Sequence, residues 1–144
     1  MNTAPAWTFE HSVKCSTSRH FAWTYWTDIT NWNDPPAKFE LDGPFAVGSR
    51  LTTTLPDQTL HSVIRYVEPG YAATIEMQLP DGVVSFNWTF EDLSETTSRV
   101  TQRLVLSTAS PALVAQARVL EQTVPQGMSK LIASIEEAAK GQTK

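Results

Sequence analysis

The C-terminal segment from Ser110 to Ala139 constrains the fold more than any other part of the chain. Its apolar residues recur at steps of three or four, which places them on one face of an α-helix. Burying the six large side chains of this face is worth about 9–18 kcal/mol, which rivals the net stability of a whole domain. The rest of the chain must therefore supply a large apolar surface for the helix to cover. The residues of the apolar face are Leu113, Ala117, Leu120, Val124, Met128, Leu131, Ile135 and Ala138.

The residues at the start of this segment favour the beginning of a helix, and those in its middle favour an interruption. Ser110 is a natural N-cap, and Pro111 suits the first helical position, where its missing N–H has no partner to lose. Pro125 lacks the N–H that would reach the Glu121 carbonyl, and Gly127 adds backbone freedom. We therefore expect a kink or a one-residue break near Pro125, which would widen the opening of any cavity beneath the helix. The polar face opposite the apolar one carries Gln116, Arg118, Gln122, Lys130 and Glu137.

Length and charge bound the class of protein. A chain of 144 residues has the size of one domain, and we expect a single domain over residues 1–144 with a frayed tail at residues 140–144. The net charge is −4 and no Lys/Arg cluster is present, so nucleic acid is not an expected partner. The expected partner is uncharged or a small molecule.

Cys15 is the only cysteine, which excludes an internal disulfide and a site of several thiolates on one metal ion. The first residues show no basic segment followed by an apolar one, and no long uncharged apolar run occurs. We therefore expect a cytoplasmic protein without membrane insertion, either a monomer or a homodimer.

The N-terminal part predicts one strand and two short helices. From Trp7 to Cys15 the residues alternate, with Trp7, Phe9, His11, Val13 and Cys15 on one face. The segment Ser16-Thr17-Ser18 offers a helix cap before the aromatic segment that ends at Thr27-Asp28. A second helical piece, Ile29 to Asn33, ends at Asp34-Pro35-Pro36, which a helix does not pass.

The middle of the chain predicts an antiparallel sheet. Gly/Pro and Pro/Asp turn signals separate short alternating runs, and such short connections join antiparallel neighbours. In one run Phe86 and Trp88 alternate with polar residues, so the sheet has one apolar face, which the terminal helix covers. The predicted strands begin with Phe39 and Leu41 and continue at Arg50–Leu55, Thr59–Val67, Tyr71–Leu79, Val83–Glu91 and Arg99–Ser107.

This order of elements resembles the START-like, or SRPBCC, superfamily, especially its polyketide cyclase/dehydrase-like and ligand-binding members. The resemblance implies an α+β helix-grip fold, in which a curved antiparallel sheet of about seven strands wraps around a long C-terminal helix and encloses a deep apolar cavity. The residues that carry it, in order, are Ser16-Thr17-Ser18, Thr27-Asp28, Trp32, Gly43-Pro44-Phe45, Val47-Gly48, Val67-Glu68-Pro69-Gly70 and Gly127.

Two polar residues are candidates for function in such a cavity. His11 shares its strand face with Trp7 and Phe9, where an imidazole can act as a general acid or base or bind a ligand carbonyl. The alternative is a histidine hydrogen-bonded within the core or at the cavity rim. Gln102 lies on the predicted inner face of its strand, together with Val100 and Leu104. An unpaired amide there costs about 1–3 kcal/mol, so Gln102 needs a hydrogen-bond partner. That partner is a ligand, a neighbouring side chain or an ordered water.

The predicted walls of the cavity are apolar. Trp32, Phe86 and Trp88 suit a flat apolar ligand, although they serve equally well as core filling. No spacing typical of a zinc site, a phosphate-binding loop or a hydrolase triad occurs, so no metal and no cofactor is expected. The full set of predicted wall residues is Trp32, Ile75, Met77, Phe86, Trp88, Leu120, Val124 and Met128.

Three functions remain open on the sequence. The first is binding of a hydrophobic small molecule that is polyketide-, lipid- or sterol-like, with His11 and Gln102 as polar contacts. The second is a polyketide cyclase or aromatase in which His11 moves protons on a substrate in the same cavity, without metal or nucleotide. The third is an interaction domain like the Hsp90-activator domains of the same superfamily.

Overall fold

The computed structural model describes residues 5–32, 36–79, 82–107 and 110–142. Helix α1 and a 3₁₀ turn follow the first strand, and two helices follow the last strand. The strands are Trp7–Cys15 (β1), Lys38–Leu41 (β2), Arg50–Thr54 (β3), Thr59–Glu68 (β4), Ala72–Leu79 (β5), Gly82–Asp92 (β6) and Ser98–Leu106 (β7). The helical elements are Arg19–Thr27 (α1), the 3₁₀ turn Ile29–Asn31, Pro111–Arg118 (α2) and Leu120–Gln142 (α3).

The strands form one antiparallel sheet in the order β1-β7-β6-β5-β4-β3-β2. Consecutive strands from β2 to β7 are neighbours, and β1 pairs with the free side of β7. The sheet is therefore open, with β1 and β2 as its two edge strands. The register between β4 and β5 shifts between Ile64 and Tyr66, which is a β-bulge of the kind that bends a strand. The predicted α+β helix-grip architecture of seven antiparallel strands is confirmed.

Alternation along the strands separates an inner from an outer face, as the sequence predicts. On β7 the residues Val100, Gln102 and Leu104 are buried, and Thr101 and Arg103 between them are more exposed. The outer face is polar and partly hydrogen-bonded, since the Thr74 hydroxyl donates to the side-chain amide oxygen Oδ1 of Asn87 at 2.8 Å. The inner face carries the core, and helix α3 packs against it.

The predicted long helix forms, but its interruption lies elsewhere than expected. Ser110 caps α2, its hydroxyl accepting a hydrogen bond from the Leu113 N–H at 3.2 Å. The one-residue break falls at Val119, between α2 and α3, and Pro125 lies inside α3. The prediction of a break at Pro125 is therefore wrong. Because the Val119 carbonyl accepts from both the Gln122 and the Thr123 N–H groups, the helix restarts there and takes up the proline in its second turn.

The ends of two other predicted segments differ in part. Helix α3 runs to Gln142, so residues 140–142 of the expected frayed tail are helical, and residues 143–144 lie outside the described part of the chain. The second helical piece ends at Asn31 as a 3₁₀ turn. Its predicted last residue, Asn33, and the first two residues of the Asp34-Pro35-Pro36 stop lie outside the described residues.

Two carboxylates of helix α3 accept hydrogen bonds from residues at the two ends of β1. Near the start of α3, Glu121 Oε2 accepts a hydrogen bond from the Trp7 indole N–H at 2.7 Å. Further along the helix, Glu136 Oε2 accepts one from the Ser16 backbone N–H at 2.8 Å. Trp7 begins β1 and Ser16 follows its end, so the two bonds hold the helix alongside this edge strand.

Arg19 holds helix α1 against the end of β6 and the turn between β4 and β5. Its Nη1 donates to the Gly70 carbonyl oxygen at 2.7 Å, and its Nε donates to Asp92 Oδ2 at 3.0 Å. The guanidinium also lies 3.9 Å from the centre of the Tyr71 ring. Gly70 has φ +84°, a conformation that favours glycine and lets the turn between β4 and β5 approach the arginine. This anchor fixes the helix that carries Trp26.

Candidate ligand-binding cavity

A cavity of about 390 Å³ lies between the inner face of the sheet and helix α3. Its volume is within the range of about 300–1,000 Å³ that is typical of small-molecule sites. The sheet contributes Phe39, Leu51, Thr53, Ser62, Ile75, Met77, Phe86, Trp88 and Gln102. Helix α1 and the segment after it contribute Trp26, Asn31 and Trp32, and α3 contributes Val124, Gly127, Met128, Lys130, Leu131 and Ser134.

One end of the cavity is an aromatic wall built around Trp26. The Trp26 ring lies 4.7 Å from the Trp88 ring and 6.0 Å from the stacked Trp32 ring, measured between centroids. The Trp32 indole N–H donates to the Trp26 backbone carbonyl at 2.7 Å, and Phe39 meets Trp32 edge-on at 5.3 Å. Because each ring is fixed by its neighbours, the wall offers apolar ring surfaces that do not need to reorganise for a ligand.

The floor of the cavity carries buried polar side chains. Ser62 is 4% exposed, and its hydroxyl has no hydrogen-bond partner among the described residues. Gln102 is 7% exposed and Thr53 is 8% exposed, and both line the same cavity. A buried hydroxyl without a partner costs about 1–3 kcal/mol, so Ser62 marks a place where a polar atom from outside the chain would be stabilised.

The opening of the cavity lies along α3. Gly127, Lys130 and Ser134 line the cavity and are exposed, and their spacing places them on one side of the helix. Asn31 stands at the rim as well, with its amide nitrogen donating to the Tyr25 carbonyl at 2.9 Å. Among the described lining residues, Lys130 is the only one with a charged side chain.

The structure brings most of the predicted site residues together. Eight of them line the cavity, whereas His11 and Leu120 do not. His11 pairs with Gln102 in the register of β1 and β7, but α3 packs along β1, so the inner side of this edge strand meets the helix. Leu120 is the first residue of α3 and packs against the core. The eight that line the cavity are Trp32, Ile75, Met77, Phe86, Trp88, Gln102, Val124 and Met128.

Three important lining residues are not among the site residues that the sequence predicts. Ser62 could have been found from strand alternation, because it shares its face with the buried Ile64. Trp26 belongs to the aromatic segment before Thr27-Asp28, for which the sequence predicts a short helix but no role in the site. Lys130 was placed on the polar face of the C-terminal helix, and the structure shows that this exposed residue also borders the cavity.

Among the described residues outside the cavity, Cys15 and Tyr66 have shifted pKa values. Burial raises the pKa of the Cys15 thiol, and the nearby negative charge of Glu136 raises it further. A hydrogen bond from the Tyr66 hydroxyl to Glu68 at 3.0 Å raises the pKa of this tyrosine. Cys15 is fully buried and does not line the cavity, so its thiol is part of the core.

The described residues contain no group of three or more His, Cys, Asp or Glu side chains placed to hold a metal ion. No helix in the described ranges is long and apolar enough to cross a membrane.

The fold and the cavity together define a helix-grip domain with room for a small molecule. No protein-family model and no curated protein matches the sequence. Among solved structures, the chain is similar to norcoclaurine synthase from Thalictrum flavum in complex with dopamine and hydroxybenzaldehyde. The two share 15% identity with a TM-score of 0.73 over 96% of this chain and 88% of the other.

Two further structures show the same likeness. The di-domain ARO/CYC StfQ from the steffimycin biosynthetic pathway has a TM-score of 0.72 and 18% identity over 93% of this chain and 51% of its own. A protein from Mesorhizobium loti has a TM-score of 0.76 and 17% identity over 91% of this chain and 98% of its own. These likenesses confirm the predicted helix-grip fold, and at such identities they establish the fold alone.

Proposed function

We propose that this protein binds a small molecule with a flat apolar body in the cavity between the sheet and α3. The observation that carries the proposal is a cavity of about 390 Å³ whose lining includes Ser62, a buried residue whose hydroxyl has no partner among the described residues. A ligand that buries its rings against Trp88 and Trp32 and offers a polar atom to Ser62 would use both features.

The aromatic wall narrows the class of ligand. Fixed indole rings favour offset stacking with another flat ring system, which suits polyketide-like aromatic compounds better than single fatty-acid chains. The solved structures are consistent with this class, because the complex of norcoclaurine synthase contains dopamine and hydroxybenzaldehyde, both of which are aromatic.

Binding is favoured over catalysis by the side chains that line the cavity. A cyclase that works by proton transfer needs a titratable group within hydrogen-bond reach of the substrate. His11, the predicted acid or base, does not line the cavity, and the only titratable side chain among the described lining residues is Lys130 at the opening.

A pair of glycine variants tests the proposal. Gly127 lines the cavity and Gly141 does not, and a Cβ added at either position meets no atom within 4 Å. Both lie in α3, where replacing glycine by phenylalanine improves helix propensity, so neither variant should lose stability. Gly127→Phe adds a side chain at the cavity opening, and Gly141→Phe is the matched control.

The readout is the fluorescence of the neutral probe N-phenyl-1-naphthylamine, which brightens in an apolar site. We expect the wild type and Gly141→Phe to bind it with equal affinity and Gly127→Phe to bind it at least about ten times more weakly, which is about 1.4 kcal/mol of lost binding energy. If the wild type does not bind the probe, or if Gly127→Phe binds it as well as the control does, the cavity is not a ligand site.

A further inference from the structure

The described lining of the cavity carries one positive side chain and no negative one. Lys130 borders the opening, and no carboxylate belongs to its described lining. The described residues contain ion pairs at Arg19, Arg65 and Arg99, and none of them involves Lys130. The ammonium group of Lys130 is therefore available at a cavity whose other described lining residues are uncharged.

Lys130 lies on the side of α3 that borders the opening of the cavity. It lies on α3 between Gly127 and Ser134, both of which line the opening, and Ser134 follows it by one helical turn. The ammonium and the Ser134 hydroxyl are hydrogen-bond donors on one side of the helix. The aromatic wall of Trp26, Trp32 and Trp88 belongs to the same cavity and supplies its apolar surface.

We propose that the ligand of this cavity is an aromatic compound with one anionic group, whose rings pack against the tryptophan wall while the anion pairs with Lys130. This inference rests on the proposed binding function and adds the charge of the ligand to it. A cationic amine would be repelled by Lys130, and a neutral compound would gain nothing from it. An anionic group would form a charge-assisted hydrogen bond beside low-dielectric apolar surface, where such a bond is stronger than in bulk water.

The net charge of the protein does not oppose this pairing at short range. The whole chain carries −4, which repels anions at a distance. At about 0.1 M salt, charges more than about 10 Å apart are largely screened, so a direct contact with Lys130 outweighs the average field.

Two probes that differ by one sulfonate test the charge preference. 1-Anilinonaphthalene-8-sulfonate is an aromatic anion, and N-phenyl-1-naphthylamine is the same skeleton without the sulfonate. We expect Lys130→Met to weaken binding of the anionic probe about three- to ten-fold and to leave binding of the neutral probe unchanged. The anionic probe should also bind the wild type more weakly as sodium chloride is raised, and this dependence should shrink in Lys130→Met.

Lys14→Met is the matched control, because Lys14 is exposed on β1, does not line the cavity and changes the net charge by the same amount. It should bind both probes as the wild type does. If Lys130→Met binds the anionic probe as tightly as Lys14→Met does while the neutral probe still binds, the charge preference is wrong and the binding function stands. If neither probe binds the wild type, the binding function itself fails.

Discussion

At the scale of single residues, a buried hydroxyl that has a hydrogen-bond partner differs from one that has none in its effect on stability. Ser98 is buried, and its hydroxyl donates to the Thr17 carbonyl at 2.9 Å. Ser62 is equally enclosed but has no partner among the described residues. The first serine contributes to the stability of the empty protein, and the second is placed for a ligand or an ordered water.

This difference predicts opposite effects of the same substitution. Ser98→Ala should lower the free energy of unfolding by about 1 kcal/mol, because it removes a satisfied hydrogen bond and leaves the Thr17 carbonyl unpaired. Ser62→Ala should leave the free energy of unfolding unchanged or raise it, because it removes an unsatisfied group. Urea denaturation of the two variants without ligand measures both values. Equal losses of stability in the two would mean that Ser62 already has a partner inside the protein.

At the scale of secondary-structure elements, the attachment of α3 to β1 determines where the cavity lies. The bond between the Trp7 indole and Glu121 holds the start of the helix, and the bond between Glu136 and the Ser16 N–H holds a later turn. Because the helix lies over β1, the space that remains open is on its other side, over the central strands of the sheet.

A double-mutant cycle tests this attachment. Trp7→Phe and Glu121→Gln each remove or weaken the 2.7 Å hydrogen bond, and the cycle subtracts the lost packing of the indole. We expect a coupling of about 0.5–1.5 kcal/mol in the free energy of unfolding, measured by chemical denaturation. Additive effects of the two substitutions would show that the bond does not hold the helix in solution.

The elements themselves could be predicted because each has a local cause. Alternation in β1 and β7, the Ser18 cap of α1 and the Ser110-Pro111 start of α2 all appear in the sequence, and the structure confirms them. The break at Val119 could not be predicted, because no glycine or proline marks it. Valine is a residue that a helix accepts, so the local sequence supplies no reason for a break at this position.

At the scale of the whole molecule, the site could be predicted only in part. Phe86, Trp88 and Gln102 follow from strand alternation once the apolar face is known. The misplacement of His11 has another cause, since alternation identifies the face of a strand but not which part of that face the helix covers. The sequence does not identify Lys130 as a cavity residue. An exposed helical residue borders a cavity only where the helix and the sheet are separated, and the sequence pattern does not contain that separation.

The five tryptophans report directly on whether a flat aromatic ligand enters the cavity beneath α3. Trp26, Trp32 and Trp88 line the cavity, whereas Trp7 and Trp23 do not and serve as internal controls. The measurement is a titration of ¹⁵N-labelled protein with N-phenyl-1-naphthylamine, followed through the indole N–H signals. We expect the signals of Trp26, Trp32 and Trp88 to shift while the other two stay in place. If the probe binds and those three signals do not move, the ligand does not enter this cavity.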